Sequence, residues 1–298
     1  MRFAPLGLLL LLCTAGAPLA GQAGAGSELW RLAAVTVPMP LALATGAAAA
    51  FWNPAQRDTG GSRLGLELIQ TPDAIGATGV LAAYRFPLAG AGVVGFTYAR
   101  MGLGDLVRTS DSPDPIGESI PFYTQRAALT WARDFGRSTL GASLSYHDTR
   151  IDGATVSRWA LDAGIVQRLG ERLRLAVATR GFRRFGADPA QDAYAAAEVR
   201  LWHGILWQRT SGTLVARYGL TTGHPGGSDH QLGASLDVGT PLSLDVMLAR
   251  EASYGNVGWR GAAGLRIAVG RYQLAFARDG GISNLGSAFR VGLEARFK

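Results

Sequence analysis

Residues 125–147 read QRAALTWAR-DFGRS-TLGASLSYH. In the first segment Ala127, Leu129 and Trp131 alternate with Arg126, Ala128, Thr130 and Ala132. In the last, Leu140, Ala142, Leu144 and Tyr146 alternate with Thr139, Gly141, Ser143, Ser145 and His147. A period of two is that of a β-strand, whose successive side chains point to opposite faces. The link between them, centred on Gly136, is tight. The stretch predicts two antiparallel strands, each with one apolar and one polar row.

The pattern continues on both sides. Trp159, Leu161, Ala163 and Ile165 alternate with Arg158, Asp162 and Arg168, and Leu173, Leu175 and Val177 with Arg174 and Arg180. Further on, Ala195, Ala197 and Val199 alternate with Tyr194, Glu198 and Arg200, and Leu214, Ala216 and Tyr218 with Thr213 and Arg217. The same holds for Leu232 to Val238, Leu244 to Leu248, Trp259 to Val269, Tyr272 to Phe276 and Phe289 to Phe297, and more weakly from Leu64, Val80 and Val94. The count is fourteen strands, each close to the ~9–11 residues with which a tilted strand crosses a bilayer.

Two architectures produce such strands, a soluble sandwich and a transmembrane barrel with its apolar row in lipid. Three features select the barrel. Aromatics such as Trp131, Tyr146, Trp159, Tyr272 and Phe297 sit near the ends of apolar rows. The strand number is even. Links after even strands are short (around Gly136, Gly170, Gly239 and Gly270), whereas several after odd strands are longer and polar, notably Gly102 to Pro121. His203 to Ser211 reads as a long link after an even strand, against the rule. Closure pairs every backbone group, which lipid demands.

Composition agrees. The 298 residues are 48% hydrophobic and only 17% charged, with 41 glycines, which excludes a disordered chain. The net charge of +7 comes from arginines spread along the chain, with Lys298 the sole lysine, so no basic run marks a nucleic-acid surface. The only cysteine, Cys13, excludes a disulfide framework.

Arg2, the apolar run Leu6 to Cys13 and the small residues after it describe a secretory signal peptide over residues 1–25, cleaved between 20 and 25. Leu12 before Cys13 speaks against a lipoprotein signal. Leu32 to Phe51 is uncharged and of spanning length, but Pro38 and Pro40 interrupt it, and proline costs about 3 kcal/mol inside a helix. Residues 26–62 are therefore expected as a periplasmic or luminal plug, with the barrel over 63–298.

The run of small residues into Phe51, Trp52, Asn53, Pro54 and Ala55, ahead of fourteen strands, resembles the PorV/PorQ group and, more distantly, the FadL fatty-acid transporters. In that superfamily an N-terminal segment folds into the lumen, and the Asn-Pro-Ala belongs to it. The resemblance implies either passage or binding of a small hydrophobic or amphipathic solute, or a scaffold for protein secretion or surface attachment. On the residues alone, Asn53-Pro54 is also simply a turn into the first strand.

The polar rows offer luminal charges: Arg126, Arg158, Arg174, Arg200, Arg217 and Arg266 with Asp162 and Glu198. Charge rings set pore selectivity, but the same residues also serve to pair across strands and fill the lumen. Ser143, Ser145 and His147 share one row and Asp148 follows, the residue types of a hydrolase; i, i+2 neighbours stand about 7 Å apart along a strand, too far for a direct bond. His224 and His230 lack a third metal ligand at a recognisable spacing. The expectation is a non-enzymatic outer-membrane barrel with no cofactor, its partners membrane lipid and either a hydrophobic small molecule or a secreted protein, and no nucleic acid.

Outer-membrane barrels have short periplasmic turns and longer outer loops. Ser110 and Gly226 are thus expected outside, Gly136 and Gly170 in the periplasm. In intact cells a maleimide should label Ser110→Cys and not Gly136→Cys; the opposite labelling would reverse the orientation.

Overall fold

A computed structural model describes residues 25–57, 60–104, 106–108, 119–182, 192–207, 210–224, 227–239, 241–252, 258–281 and 286–297. The expected signal segment, together with Ser110, Gly226 and Lys298, lies outside them, apart from residue 25.

Fourteen antiparallel strands close into one barrel: β1 (Ser62–Gln70), β2 (Ala77–Leu88), β3 (Gly92–Leu103), β4 (Phe122–Phe135), β5 (Ser138–Ile151), β6 (Ala154–Leu169), β7 (Leu173–Phe182), β8 (Asp192–Trp207), β9 (Thr210–His224), β10 (Gly227–Val238), β11 (Leu242–Glu251), β12 (Gly258–Val269), β13 (Tyr272–Asp279) and β14 (Ala288–Phe297). Each pairs with its sequence neighbours. The seam is β1 against β14, in register from Ser62 opposite Phe297 to Gln70 opposite Phe289. Closure removes both sheet edges, so the wall satisfies its own backbone.

The row assignment follows the period. In β5, Thr139, Gly141, Ser143, Ser145 and His147 point inward and are buried, while Leu140, Ala142, Leu144 and Tyr146 point outward. Leu66, Leu129, Leu144, Leu161, Val246 and Leu293 form part of an outer belt, each 46–59% exposed. A continuous apolar surface of this extent is untenable in water and natural in hydrocarbon. Among the described residues no helix is long and apolar enough to cross a membrane; the strands do the crossing. Aromatics gather towards the strand ends, with Tyr146 and Trp159 5.2 Å apart between ring centroids and Trp131 Nε1 donating to Ala91 O at 2.8 Å.

Every link after an even strand is two or three residues long. Gly136 and Gly270, in two of these turns, have φ of +66° and +59°, the left-handed region that glycine enters without a Cβ clash. His203 to Ser211 is no long link after all. β8 and β9 continue through it, with bulges between Arg200 and Trp202 and between Ile205 and Trp207. The bulges break strict alternation and so hid the strand from a period-two reading. Two odd-strand links are also tight: β5 turns into β6 at Asp152-Gly153, and β9 runs to His224 before β10 begins at Gly227.

Residues 25–57 lie inside the barrel. They form helix α1 (Ala25–Val35), a 3-10 turn (Leu41–Leu43) and the short helix α2 (Ala49–Trp52). Their apolar side chains make most of the buried core, packed on small wall residues such as Ala83, Ala99, Ala176, Ala178 and Ala196. The barrel thus has two apolar layers, lipid-facing outside and this segment within, separated by one sheet.

The row assignment sets an expectation for assembly. Leu144→Arg and Val246→Arg should lower yield and heat-modifiable gel mobility, because a charge on the lipid face costs about 2–4 kcal/mol near midplane. Ser243→Arg, on an inward row, should assemble like the parent. Equal behaviour of all three variants would contradict the rows.

Candidate functional site in the barrel lumen

The inner segment is held mainly through its backbone carbonyls. The last carbonyls of an α-helix have no partner within the helix, and α1 has no basic residue in its own last turn. The wall supplies the donors. Arg290 donates to Ala33 O at 2.9 Å and to Thr36 Oγ1 at 2.9 Å; Arg260 donates to Val35 O at 3.2 Å. Cations at this end also complement the helix dipole.

Further along, Arg85 donates to Gly46 O at 2.5 Å and to Gln56 O at 2.8 Å. Glu294 accepts from Ala47 N at 2.6 Å, and Arg266 donates to Thr45 Oγ1 at 3.2 Å. Arg31 of α1 reaches Asp192 at 3.2 Å, an acid that also receives Arg180 at 3.0 Å and Tyr194 Oη at 3.3 Å.

Phe51 and Trp52 sit at the centre of this network, both fully buried. Arg126 donates to Phe51 O at 3.0 Å, and its guanidinium carbon lies 4.5 Å from the Phe51 ring centroid. Arg180 lies 5.3 Å from Phe51 and 4.9 Å from Trp52, and Arg290 lies 5.9 Å from Trp52. Cation–π contacts that are desolvated in this way reach about 2 kcal/mol. Arg126 makes a close ion pair with Asp162, which also accepts from Gly181 N at 2.8 Å. Trp30 packs edge-on against Phe51 at 5.2 Å.

Asn53 closes the segment. Its Oδ1 accepts from Ala55 N at 2.9 Å, an Asx turn, and its Nδ2 donates to Ala42 O at 2.8 Å. The turn at Pro54 and Ala55 sends the chain to Arg57 and on to β1. The wall is shaped to admit it. A Cβ on Gly65 would lie 2.7 Å from Ala47 Cβ, on Gly219 2.6 Å from Pro40 Cβ, and on Gly264 2.6 Å from Pro38 Cγ. A Cβ on Gly141 would overlap the Pro54–Ala55 peptide, and on Gly164 the Asn53 side chain.

The remaining sequence candidates fall into two groups. Arg174 and Arg217 share Glu198, at 3.3 and 2.7 Å; Arg217 and Arg266 share Asp245, at 3.2 and 3.0 Å. Arg158 faces inward opposite His147, and Arg200 lies towards the short-turn mouth. The structure does not assemble the hydrolase set. Ser145 Oγ and His147 Nε2 do lie 3.1 Å apart, closer than their spacing along the strand suggested, because the side chains lean together. Ser145, however, is fully buried and donates to Ala160 O at 3.1 Å. Asp148 is on the opposite face, bonded to Gln125 at 2.9 Å and Ser157 at 2.7 Å. His230 faces outward against Tyr218 at 2.7 Å, and no group of metal-ligating side chains occurs among the described residues.

Sequence reasoning missed Arg85, Gln56 and the five inward glycines. The glycines had a legible signal, each occupying an inward position of its strand. Arg85 had none, since nothing in β2 marks what it binds.

No protein-family model matches this chain, and no curated protein does. Among solved structures it is similar to the toluene transporter TbuX of Ralstonia pickettii, at 11% identity and a TM-score of 0.50, covering 85% of this chain and 94% of that one. The outer membrane protein Omp33 of Acinetobacter baumannii gives 11% identity and 0.47, over 80% of this chain and 98% of that one. A porin of Rh. blastica gives 10% and 0.42, over 79% and 99%. At such identities the likeness is one of fold, and the fold is that of outer-membrane barrels.

The close fit at the glycines predicts how the segment is released. In a Cys13→Ser background, Ala42→Cys should resist maleimide, since Ala42 is 1% exposed. Adding Gly164→Val should leave a heat-modifiable barrel and make that cysteine reactive. Unchanged protection would mean that the close fit does not hold the segment.

Proposed function

We propose that this protein is an outer-membrane barrel that binds or passes a small hydrophobic or amphipathic solute, with residues 26–62 acting as its plug. Residues 1–25 are its signal peptide, removed on export. One observation carries the solute reading. Between plug and wall lies a cavity of about 70 Å³ lined by Val37, Pro38, Met39, Ala48, Ala49 and Trp52, with Glu67, Asp245 and Arg290 at its border. The indole N–H of Trp52, one of the lining residues, is buried without a hydrogen-bond partner. An apolar space with one unused donor is the usual form of a small-molecule site. It has room for a fragment only, so a larger solute requires the plug to move. The likeness of fold to a toluene transporter fits this reading.

A second reading has its own support. The lumen is filled by a segment matched to inward glycines and held by wall arginines, which suits a sealed scaffold of the PorV/PorQ kind, with a secreted protein as partner.

Deleting Leu32 to Ala50 separates the two readings. The wall pairs its own backbone, so the truncated barrel should still fold, with its freed arginines solvated in the lumen. Planar-bilayer recordings should show larger or more frequent conductance steps than the full chain gives. Matching conductance from a folded deletion protein would remove the gate from the solute reading and favour the scaffold.

A further inference from the structure

On the short-turn side of the plug the lumen opens into a vestibule of about 350 Å³, roofed by Thr45. Six arginines line it, against the carboxylates of Glu171, Glu198 and Asp237. Their distribution is uneven. Glu198 is taken by Arg174 and Arg217, and Asp245 behind it by Arg217 and Arg266. Arg168 and Arg200 make no ion pair with any described residue.

The register adds to this. Arg168 on β6 and Arg174 on β7 are directly paired positions, both facing inward. Like charges directly opposite on antiparallel strands repel, with Cβ atoms about 5 Å apart. Arg200 on β8 projects into the same space from the next strand. Three guanidinium groups on consecutive strands, of which only Arg174 is ion-paired, leave a gap lined by N–H donors and positive charge. A planar guanidinium presents paired donors that match the oxygens of a carboxylate or phosphate.

We propose that this vestibule is an anion-binding site that takes a carboxylate or phosphate group between Arg168, Arg174 and Arg200, beneath Thr45 of the plug. The anion relieves the Arg168–Arg174 repulsion and replaces the missing carboxylates. Its source is either a free inorganic anion or the head group of an anionic amphiphile. The site stands on the barrel geometry, whichever of the two functional readings holds.

Isothermal titration of the full-length protein in amphipol, which avoids competing detergent, tests it with three probes: dodecanoate, dodecanol and inorganic phosphate. Dodecanoate should bind at least about tenfold more tightly than dodecanol, the same tail without the charge. Arg168→Gln with Arg200→Gln should weaken dodecanoate by about tenfold or more, while Arg168→Lys with Arg200→Lys, which keeps the charge but loses the paired donors, should weaken it less. Phosphate binding that falls in the same glutamine variant identifies free anions as ligands; dodecanoate binding alone identifies an amphiphile head. Equal binding of dodecanoate and dodecanol with no phosphate binding by the parent protein would overturn the site, whether or not the variants fold. So would unchanged affinity in a folded glutamine variant. A failed conductance change on plug deletion leaves this outcome standing.

Discussion

A guanidinium buried inside a barrel needs acceptors, and the backbone of the wall offers few. The carbonyls of the ladder are largely taken up by bonds between neighbouring strands. Leaving a buried charge unpaired costs several kcal/mol. The lumen of this protein carries Arg85, Arg126, Arg260 and Arg290, each buried. Their acceptors come from inward carboxylates and from a segment whose short helices end in unpaired carbonyls. Ala33, Val35, Gly46, Phe51 and Gln56 each give a carbonyl to one of these arginines. Wall and segment thus complete each other, and each would be poorly satisfied in a dry lumen alone.

Shape complements this polar match. Pro38, Pro40, Ala47, Asn53 and Pro54 press against wall positions where only glycine leaves room. Aromatic rings fill what remains, with Phe51 and Trp52 between three guanidinium groups. The prolines that spoil Leu32 to Phe51 as a membrane helix are useful here. They break the segment into short pieces that fit a narrow lumen and present carbonyls to the wall.

Charge is not balanced evenly along the barrel axis. Around the inner segment, Arg126, Arg180 and Arg260 each meet a buried acid: Asp162, Asp192 and Asp279. At the short-turn mouth the arginines outnumber the acids. The centre is therefore closely paired, and the short-turn mouth carries an excess of positive charge. The Ser145–His147 contact belongs to the paired centre, where it joins β5 to the Ala160 carbonyl of β6.

The sequence alone determined the class and most of the wall. Alternation such as that of Leu140 to Tyr146 is a local property, since one face is in lipid and the other is not, and period two reports this directly. It misread His203 to Ser211, because bulges interrupt the period without ending the strand. It also placed Leu32 to Phe51 against protein, since an uncharged run broken by proline makes a poor membrane helix, and a family resemblance together with an Asn-Pro turn singled out Phe51 to Ala55. What the sequence could not state is which arginine meets which acceptor. Arg290 and Ala33 are far apart in the chain, and Gly164 and Asn53 come together only when strands and segment fold back on one another. Only the tertiary structure decided that Arg174 pairs with Glu198 while Arg168 and Arg200 make no ion pair among the described residues. Pairing depends on distances across the lumen, which strand register and barrel closure set, and neither is written in the local pattern of residues.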